Sequence, residues 1–293
     1  MSRRVALVTG CSEGGIGHAL ALEFASAGLL VYATALRMEE FAQELPDKGV
    51  RCMALDITDA EVVTAAVTRI LRESQHIDVL VNNAGVGAIG PAVELDPSSL
   101  RRLLEVNVVG TVGVCQAVAP SMMDRRCGTI VNVGSVTAFV PTPWSAHYSA
   151  SKAAVHAFTD AMRVELAPFG VRAVVLAPGG VVSNLAATID PALAPDTRYR
   201  AVEESIAARA RLSDSGRAMP AAVFASSVVP QILAGRPPAY VSCGESAGLV
   251  LLLSWLPAWI KDCLLSWMFG IGKLAPRIIR PSAPNCPESR KEI

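Results

Sequence analysis

The sequence predicts an α/β fold, a single doubly wound parallel sheet with helices on both faces. Three observations carry this. Short apolar β-rich runs alternate with longer runs of helical period through the first 180 residues. The β-rich runs are apolar throughout instead of alternating, the pattern of strands buried on both faces. A glycine-rich turn follows the first run, and sheets of this kind bind ligands at the carboxyl ends of their strands.

The elements follow in order. "RVALVTG" reads as the first strand, "GIGHALALEFASAG" as the first helix and "LLVYATA" as the second strand. "RMEEFAQEL" reads as a helix, "VRCMALD" as a strand, "DAEVVTAAVTRILRES" as a helix and "IDVLVNNAG" as the fourth strand. A long helical stretch is expected over 97–125, then the strand "GTIVNVGS", a helix over about 147–168, and the strand "VRAVVLAPGG". Beyond it, "VVSNLAATIDPALAPDTRYR" has weak periodicity and two prolines and reads as a mobile loop. "AVEESIAARARL" and "RAMPAAVFASSVVPQILAG" read as helices and "PPAYVSCG" as the last strand. No linker composition interrupts the chain before about 245, so residues 1–245 form one domain.

Composition narrows the function classes. The chain has 293 residues, 52% apolar and 18% charged, enough to fill a sizeable core. Its formal net charge is zero, which gives no footprint for nucleic acid. The seven cysteines are scattered, with no Cys-x-x-Cys pair and no Cys/His cluster. They read as reduced thiols of an intracellular protein, with no metal site. "MSRRVALVTG" lacks the long apolar segment of a secretory signal and reads as the lead into the first strand.

The end of the chain differs. "AGLVLLLSWLPAWIKDCLLSWMFGIGKLAP" is strongly apolar and holds Trp255, Trp259 and Trp267. Its uninterrupted run, Ala247–Ile260, has fourteen residues and contains Pro257, whereas a membrane span takes about 20. Residues 246–275 therefore read as an amphipathic extension or helical hairpin that contacts a membrane or lipid droplet peripherally through 247–272. The alternative is a cover for the substrate pocket or a subunit interface. The polar, proline-rich 276–293 reads as a disordered tail.

"VTGCSEGGIGHAL" joins the first strand to the first helix. Gly10, Gly15 and Gly17 lie where that turn must be tight, and amides at the helix start can face a pyrophosphate. This is the Rossmann-like arrangement. Folds that bind NAD tend to place an acid at the end of the second strand for the ribose hydroxyls. Here "VYATALR" has none and supplies Arg37, whose fork suits a 2′-phosphate, so NADP(H) is the expected cofactor. Glu39 and Glu40 lie past the arginine and are expected to start the next helix. Asp56, after the third strand, either meets the adenine amino group or serves as a turn or N-cap residue.

"YSASK" places Tyr148 and Lys152 four residues apart on one helix face. That spacing alone fits a plain amphipathic pair. It gains meaning from what surrounds it. The glycine loop, "NNAG" at 82–85, Asn107 in "EVNVVG", Ser135 in "VNVGS", "YSASK", and "PGGVVS" at 178–183 occur in the order seen in the short-chain dehydrogenase/reductase family, which residues 1–245 resemble. Two departures stand out: four residues separate Gly10 from Gly15 where the family has three, and Ser183 stands where it often has Thr.

The resemblance implies hydride transfer with Asn107, Ser135, Tyr148 and Lys152 as the catalytic set. A tyrosine with pKa of about 10 is a weak acid–base group at neutral pH, and a nearby ammonium favours its phenolate. Lys152 would supply that charge and hold the nicotinamide ribose. Tyr148 would protonate the carbonyl oxygen, Ser135 would hydrogen-bond it, and Asn107 would hold a helix kink and a proton-relaying water. The dinucleotide is expected against Gly10, Ser12, Gly15, Ile16, Gly17, Arg37, Asp56, Ile57, Asn83, Ala84, Gly85, Tyr148, Lys152, Pro178, Gly179, Val181 and Ser183. His147 points away from Tyr148 along the helix and is not assigned a role.

Within the family, "GCSEGGIG", "VYATA" and "LPAWIKD…FG" are similar to a plant and fungal group described as NADPH-dependent 1-acyl-dihydroxyacetone phosphate reductases. That group usually has arginine where Leu36 stands, with Arg37 next. The resemblance implies a lipophilic carbonyl substrate and an endoplasmic reticulum or lipid-droplet surface. It also implies a possible homodimer through the helices at 97–125 and 147–168. Arg198, Arg200, Arg209 and Arg211 are candidates for a substrate phosphate, or else a solvated helix face. A steroid or terpenoid dehydrogenase is the other enzymatic reading. A lipid-surface scaffold or dinucleotide sensor is the non-enzymatic one, which the intact catalytic set opposes.

Overall fold

A computed structural model describes residues 3–185, 189, 193–211 and 216–274. Seven strands form one sheet: β1 (Val5–Val8), β2 (Leu30–Ala35), β3 (Arg51–Ala54), β4 (Val79–Asn82), β5 (Gly128–Val133), β6 (Val171–Pro178) and β7 (Tyr240–Cys243). Their order is β3-β2-β1-β4-β5-β6-β7, and every neighbouring pair is parallel. The order reverses between β1 and β4, so the crevice outside the strand ends opens there.

Among the described residues, ten α-helices connect and flank the strands: α1 (Ile16–Ser26), α2 (Glu44–Asp47), α3 (Ala60–Ser74), α4 (Pro97–Leu104), α5 (Thr111–Asp124), α6 (Ala146–Leu166), α7 (Glu203–Ala210), α8 (Ala221–Ile232), α9 (Ala247–Ser254) and α10 (Ala258–Met268). Successive strand residues point to opposite faces. Leu7, Leu80 and Ile130 therefore pack with Ile70, Val114 and Met122 of α3 and α5. Their neighbours Val8, Val81 and Val131 pack with Phe24 and Phe224 of α1 and α8 on the other face. Burying each such side chain contributes about 2 kcal/mol, which explains why the strands are apolar without alternation.

Two helical expectations are corrected. "RMEEFAQEL" is not one helix: it forms a 3-10 turn at Met38–Glu40 and then the short α2. Phe41 is extended between them, at φ −84° and ψ 135°. The stretch 97–125 is interrupted by a π-helical segment at Glu105–Gly110, where Asn107 sits. That stretch is apolar and long enough to cross a membrane, but α5 lies against the sheet and α3 as part of the core.

After β7 the chain forms two short helices, α9 and α10, separated at Pro257. Neither helix is long enough to cross a membrane. Trp255, Trp259 and Trp267 are 88%, 71% and 80% exposed. The chain then turns back. Phe269, Ile271 and Leu274 pack against Ile89, Trp144 and Ile206, and the Trp144 indole N–H donates to the Phe269 carbonyl at 3.3 Å. The extension thus covers the wall formed by α7 and still presents its indoles to solvent. Residues 276–293 lie outside the described residues.

Candidate active site

The residues after β1, β4, β5 and β6 converge on one cleft of about 870 Å³ at the carboxyl edge of the sheet. The glycine loop forms its floor. Gly10 and Gly14 adopt φ +71° and +75°, a region in which a Cβ is strained. Gly14 is one of the four residues between Gly10 and Gly15, and its left-handed turn lets the longer loop close. The Gly15 amide donates to the Ser12 carbonyl at 3.0 Å, and the Gly14 amide donates to His18 Nδ1 at 3.1 Å. No side chain caps α1 at Gly15. Its first-turn amides are thereby left for a ligand anion.

The β4 end is clamped to this loop. The Asn83 side-chain amide donates to the Thr9 and Gly10 carbonyls at 2.9 and 2.8 Å. Thr9 Oγ1 accepts from the Asn83 and Ala84 amides at 3.0 and 3.1 Å. Gly17 does not line the cleft. A Cβ there would meet the Gly10 carbonyl and the Asn83 amide, so this glycine serves close packing beneath the loop. The other residues expected against the dinucleotide, from Ser12 to Ser183, all line the cleft.

At the β2 edge the structure corrects the reading of Glu40. It does not start a helix. The 3-10 turn folds it back, where it accepts from Ser12 Oγ at 2.8 Å and from Arg37 Nε at 3.1 Å. Asp56 lines the cleft, but its Oδ1 accepts from the Thr58 amide and hydroxyl at 2.9 and 2.7 Å, the turn role left open above.

The four catalytic candidates come together around the end of β5. Ser135 is buried, and its Oγ accepts from the Thr137 amide at 3.2 Å and from Thr137 Oγ1 at 3.0 Å. With two donors on its oxygen, Ser135 has its own proton free to donate. Beneath it, His156 Nε2 accepts the Ser135 amide at 3.3 Å. Burial and the nearby Lys152 push the His156 pKa down to about 4, so the ring stays a neutral acceptor. Lys152 is 5% exposed, and its Nζ donates to the Val133 carbonyl at 2.8 Å and lies 5.8 Å from the Tyr148 ring centroid. Burial lowers its pKa to about 8. The Tyr148 phenol is raised by burial, against which the Arg209 charge and a hydrogen bond with Ser135 pull downward.

Asn107 stands behind the cleft wall. Its Oδ1 accepts the Val86 amide at 2.8 Å, and its Nδ2 donates to the Val86 carbonyl and Ser151 Oγ, both at 3.0 Å. The π-helical segment thus ties the loop after β4 to α6. His147 is not among the lining residues.

With parallel strands, an uncapped α1 N-terminus at a glycine loop, and a Ser–Tyr–Lys set at the strand ends, the geometry can be compared with known proteins. Residues 4–194 match the family described as short chain dehydrogenase. The protein belongs to the short-chain dehydrogenase family. Short-chain dehydrogenase ptmH of Penicillium ochrochloron is 37% identical over 92% of this chain and all of that one. An NADPH-dependent 1-acyldihydroxyacetone phosphate reductase of Saccharomyces cerevisiae is 31% identical over 93% of both chains. The solved gluconate 5-dehydrogenase of Burkholderia cenocepacia, in complex with NADP and tartrate, matches with a TM-score of 0.59 at 34% identity. That match covers 63% of this chain and 74% of the other.

The cleft of this dehydrogenase fits a dinucleotide: its uncapped helix start, its left-handed Gly10 and its Arg37 all line it. Sequence reasoning missed Thr137, His156 and Glu40. Thr137 follows Ser135 by two residues and could have been read as its turn partner. His156 lies one turn beyond Lys152, a face-sharing spacing. Of the four arginines weighed for a substrate phosphate, only Arg209 lines the cleft. Arg200 pairs with Glu203 at 3.0 Å instead.

Proposed function

We propose that this oxidoreductase uses NADPH to reduce a lipophilic ketone, and that 1-acyl-dihydroxyacetone phosphate, reduced to 1-acylglycerol 3-phosphate, fits it best. The observation that carries the reaction is the convergence of Ser135, Tyr148 and Lys152 at the inner end of the cleft. Bound NADPH supplies the hydride. Arg37 and Ser12 would hold the 2′-phosphate, and the first-turn amides of α1 would serve the pyrophosphate. Lys152 would hold the nicotinamide ribose, and the Arg209 charge and the Ser135 hydrogen bond favour release of the Tyr148 proton. Tyr148 gives that proton to the carbonyl oxygen while Ser135 donates a hydrogen bond to it. The named yeast reductase supports the acyl phosphate substrate.

A second reading keeps the reaction and changes the substrate to a steroid, terpenoid or other specialised-metabolite ketone. The full-length match to ptmH supports it, as do the apolar Ile89, Leu185 and Ile189 along the cleft. The lipid substrate also suits peripheral docking on an endoplasmic reticulum membrane or lipid droplet through 247–272. The exposed Trp255, Trp259 and Trp267 support that placement. Pairing of two copies through α4–α5 and α6 is supported by the exposed Leu104, Val109 and Val164.

The test is NADPH oxidation by the purified chain, with 1-acyl-dihydroxyacetone phosphate beside a panel of steroid and terpenoid ketones. Preferred turnover of the acyl phosphate is expected. Turnover of the polycyclic ketones alone would move the protein to the second reading.

A further inference from the structure

Among the described residues, Arg209 is a cation without an anion. It sits on α7, which Val202, Ile206 and Ala210 fix from behind against Trp144, Phe269 and Ile271. Its head opens onto the cleft that Ser135 and Tyr148 line. Among the described residues its only side-chain hydrogen bond is from Nε to Thr142 Oγ1, at a long 3.3 Å. A guanidinium carries five N–H donors, so most of Arg209's donor capacity is unspent. No described carboxylate lies within salt-bridge distance of it. Arg37, Arg51, Arg69, Arg125, Arg163 and Arg200 each have one.

The placement is costly for the protein alone. Burial disfavours the charged form of Arg209, and its charge acts on the Tyr148 phenol. An enclosed cation is stabilised when an anion meets it with good geometry. The dinucleotide phosphates would be served elsewhere, by the uncapped α1 N-terminus and by Arg37 at the β2 edge. What remains for Arg209 is the other occupant of the cleft.

We infer that Arg209 is the specificity residue for an oxyanion group of the substrate, a phosphate or carboxylate carried a few bonds from the carbonyl that Tyr148 protonates. A planar fork with free donors matches such a group bidentately. Thr142 is a positioning residue: its hydroxyl is bonded to Ser145 Oγ at 2.8 Å and holds Nε, turning the terminal nitrogens toward the cleft. The inference deepens the reductase reading and rests on it. It selects, among ketones of similar shape, those with a nearby negative charge. In 1-acyl-dihydroxyacetone phosphate the phosphate-bearing carbon adjoins the ketone, which meets that requirement.

The experiment uses the full chain with NADPH and ketones paired by charge. The phosphate pair is 1-acyl-dihydroxyacetone phosphate and the same lipid without its phosphate. The carboxylate pair is a long-chain 3-keto acid and its methyl ester. Wild type, Arg209→Ala and Arg209→Lys are compared. Losing charged hydrogen bonds is expected to cut kcat/KM for the preferred anion about 10- to 100-fold, mainly through KM. The neutral partner should lose clearly less, only what removing the Arg209 charge from the Tyr148 phenol costs, and lysine should restore part of the loss. Whichever pair shows the larger effect names the oxyanion. Equal losses on charged and neutral ketones would overturn the inference, because Arg209 would then act on Tyr148 alone. Unchanged kinetics with both would overturn it too. A readout independent of turnover is binding of 1-acylglycerol 3-phosphate and its dephosphorylated form to the NADP complex. Arg209→Ala should weaken only the former, and equal affinity of wild type for both forms would overturn the inference. Failure of the reductase reading shows separately, as wild type that turns over none of the four ketones.

Discussion

Lys152 belongs to the proposed catalytic set and is costly for folding, and replacing it by methionine separates the two. Its side chain is 5% exposed, and burial alone depresses its pKa from 10.5 to about 8. At 1.36 kcal/mol per pH unit, keeping the ammonium inside the protein near pH 7 costs about 3 kcal/mol. Methionine keeps the length without the charge. It forfeits the bond from Nζ to the Val133 carbonyl, 2.8 Å long, which contributes about 1 kcal/mol. The Lys152→Met protein should therefore be inactive and, without cofactor, about 2 kcal/mol more stable near pH 7. The sign of the pH dependence is fixed. The folded pKa lies below the unfolded one, so the unfolded chain binds more protons between about 8 and 10.5, and wild-type stability from this group rises with pH across that window. The variant's advantage should shrink to near zero by about pH 10. Paired urea unfolding of the two proteins near pH 7 and near pH 10 measures this, and other titrating groups cancel in the difference. A variant no more stable than wild type near neutrality, or a gain that ignores pH, would refute the reasoning.

Three further outcomes are expected. Glu40→Gln frees Arg37 and Ser12 from the carboxylate they share and should tighten NADPH, while Arg37→Ala should weaken it by about tenfold and leave NADH nearly unchanged; cofactor fluorescence titration reads both. Thr137→Val removes one of the two donors on Ser135 Oγ and should lower kcat by about tenfold with cofactor affinity intact, as steady-state kinetics and the same titration would show. Anionic phospholipid vesicles should shift tryptophan emission to the blue, and serine at Trp255, Trp259 and Trp267 together should abolish both the shift and co-sedimentation; emission unchanged by vesicles would remove the lipid-surface proposal.

The sheet was legible because burial on both faces writes itself into composition. Strands such as "VALV" and "VRAVVLAP" need no partner to be recognised. The candidate set was legible from the order of the motifs, with Tyr148 and Lys152 one turn apart on α6 and Ser135 in the turn after β5. What the sequence hid depends on tertiary folding. The acid at Glu40 reaches the cleft only because a 3-10 turn replaces the expected helix. The π-helical form of the kink at Asn107, expected there from the resemblance alone, is one that no 3.6-residue pattern reveals. The tyrosine was expected to feel mainly Lys152, yet the cation that pulls on it in the structure is Arg209, sixty-one residues away in sequence. Arg209 stood in a run of four arginines with no signal to separate it. Only the packing of α7 against the returning chain at Phe269–Leu274 turns that one inward.

The central claim is that Tyr148 protonates a carbonyl oxygen during hydride transfer from NADPH. The direct measurement is single-turnover NADPH oxidation by wild type and Tyr148→Phe, with the acyl phosphate ketone as substrate and cofactor binding measured in parallel. The account expects Tyr148→Phe to bind NADPH as wild type does and to lose at least about a thousandfold in rate. A Tyr148→Phe protein that binds NADPH and oxidises it at the wild-type rate would contradict the claim.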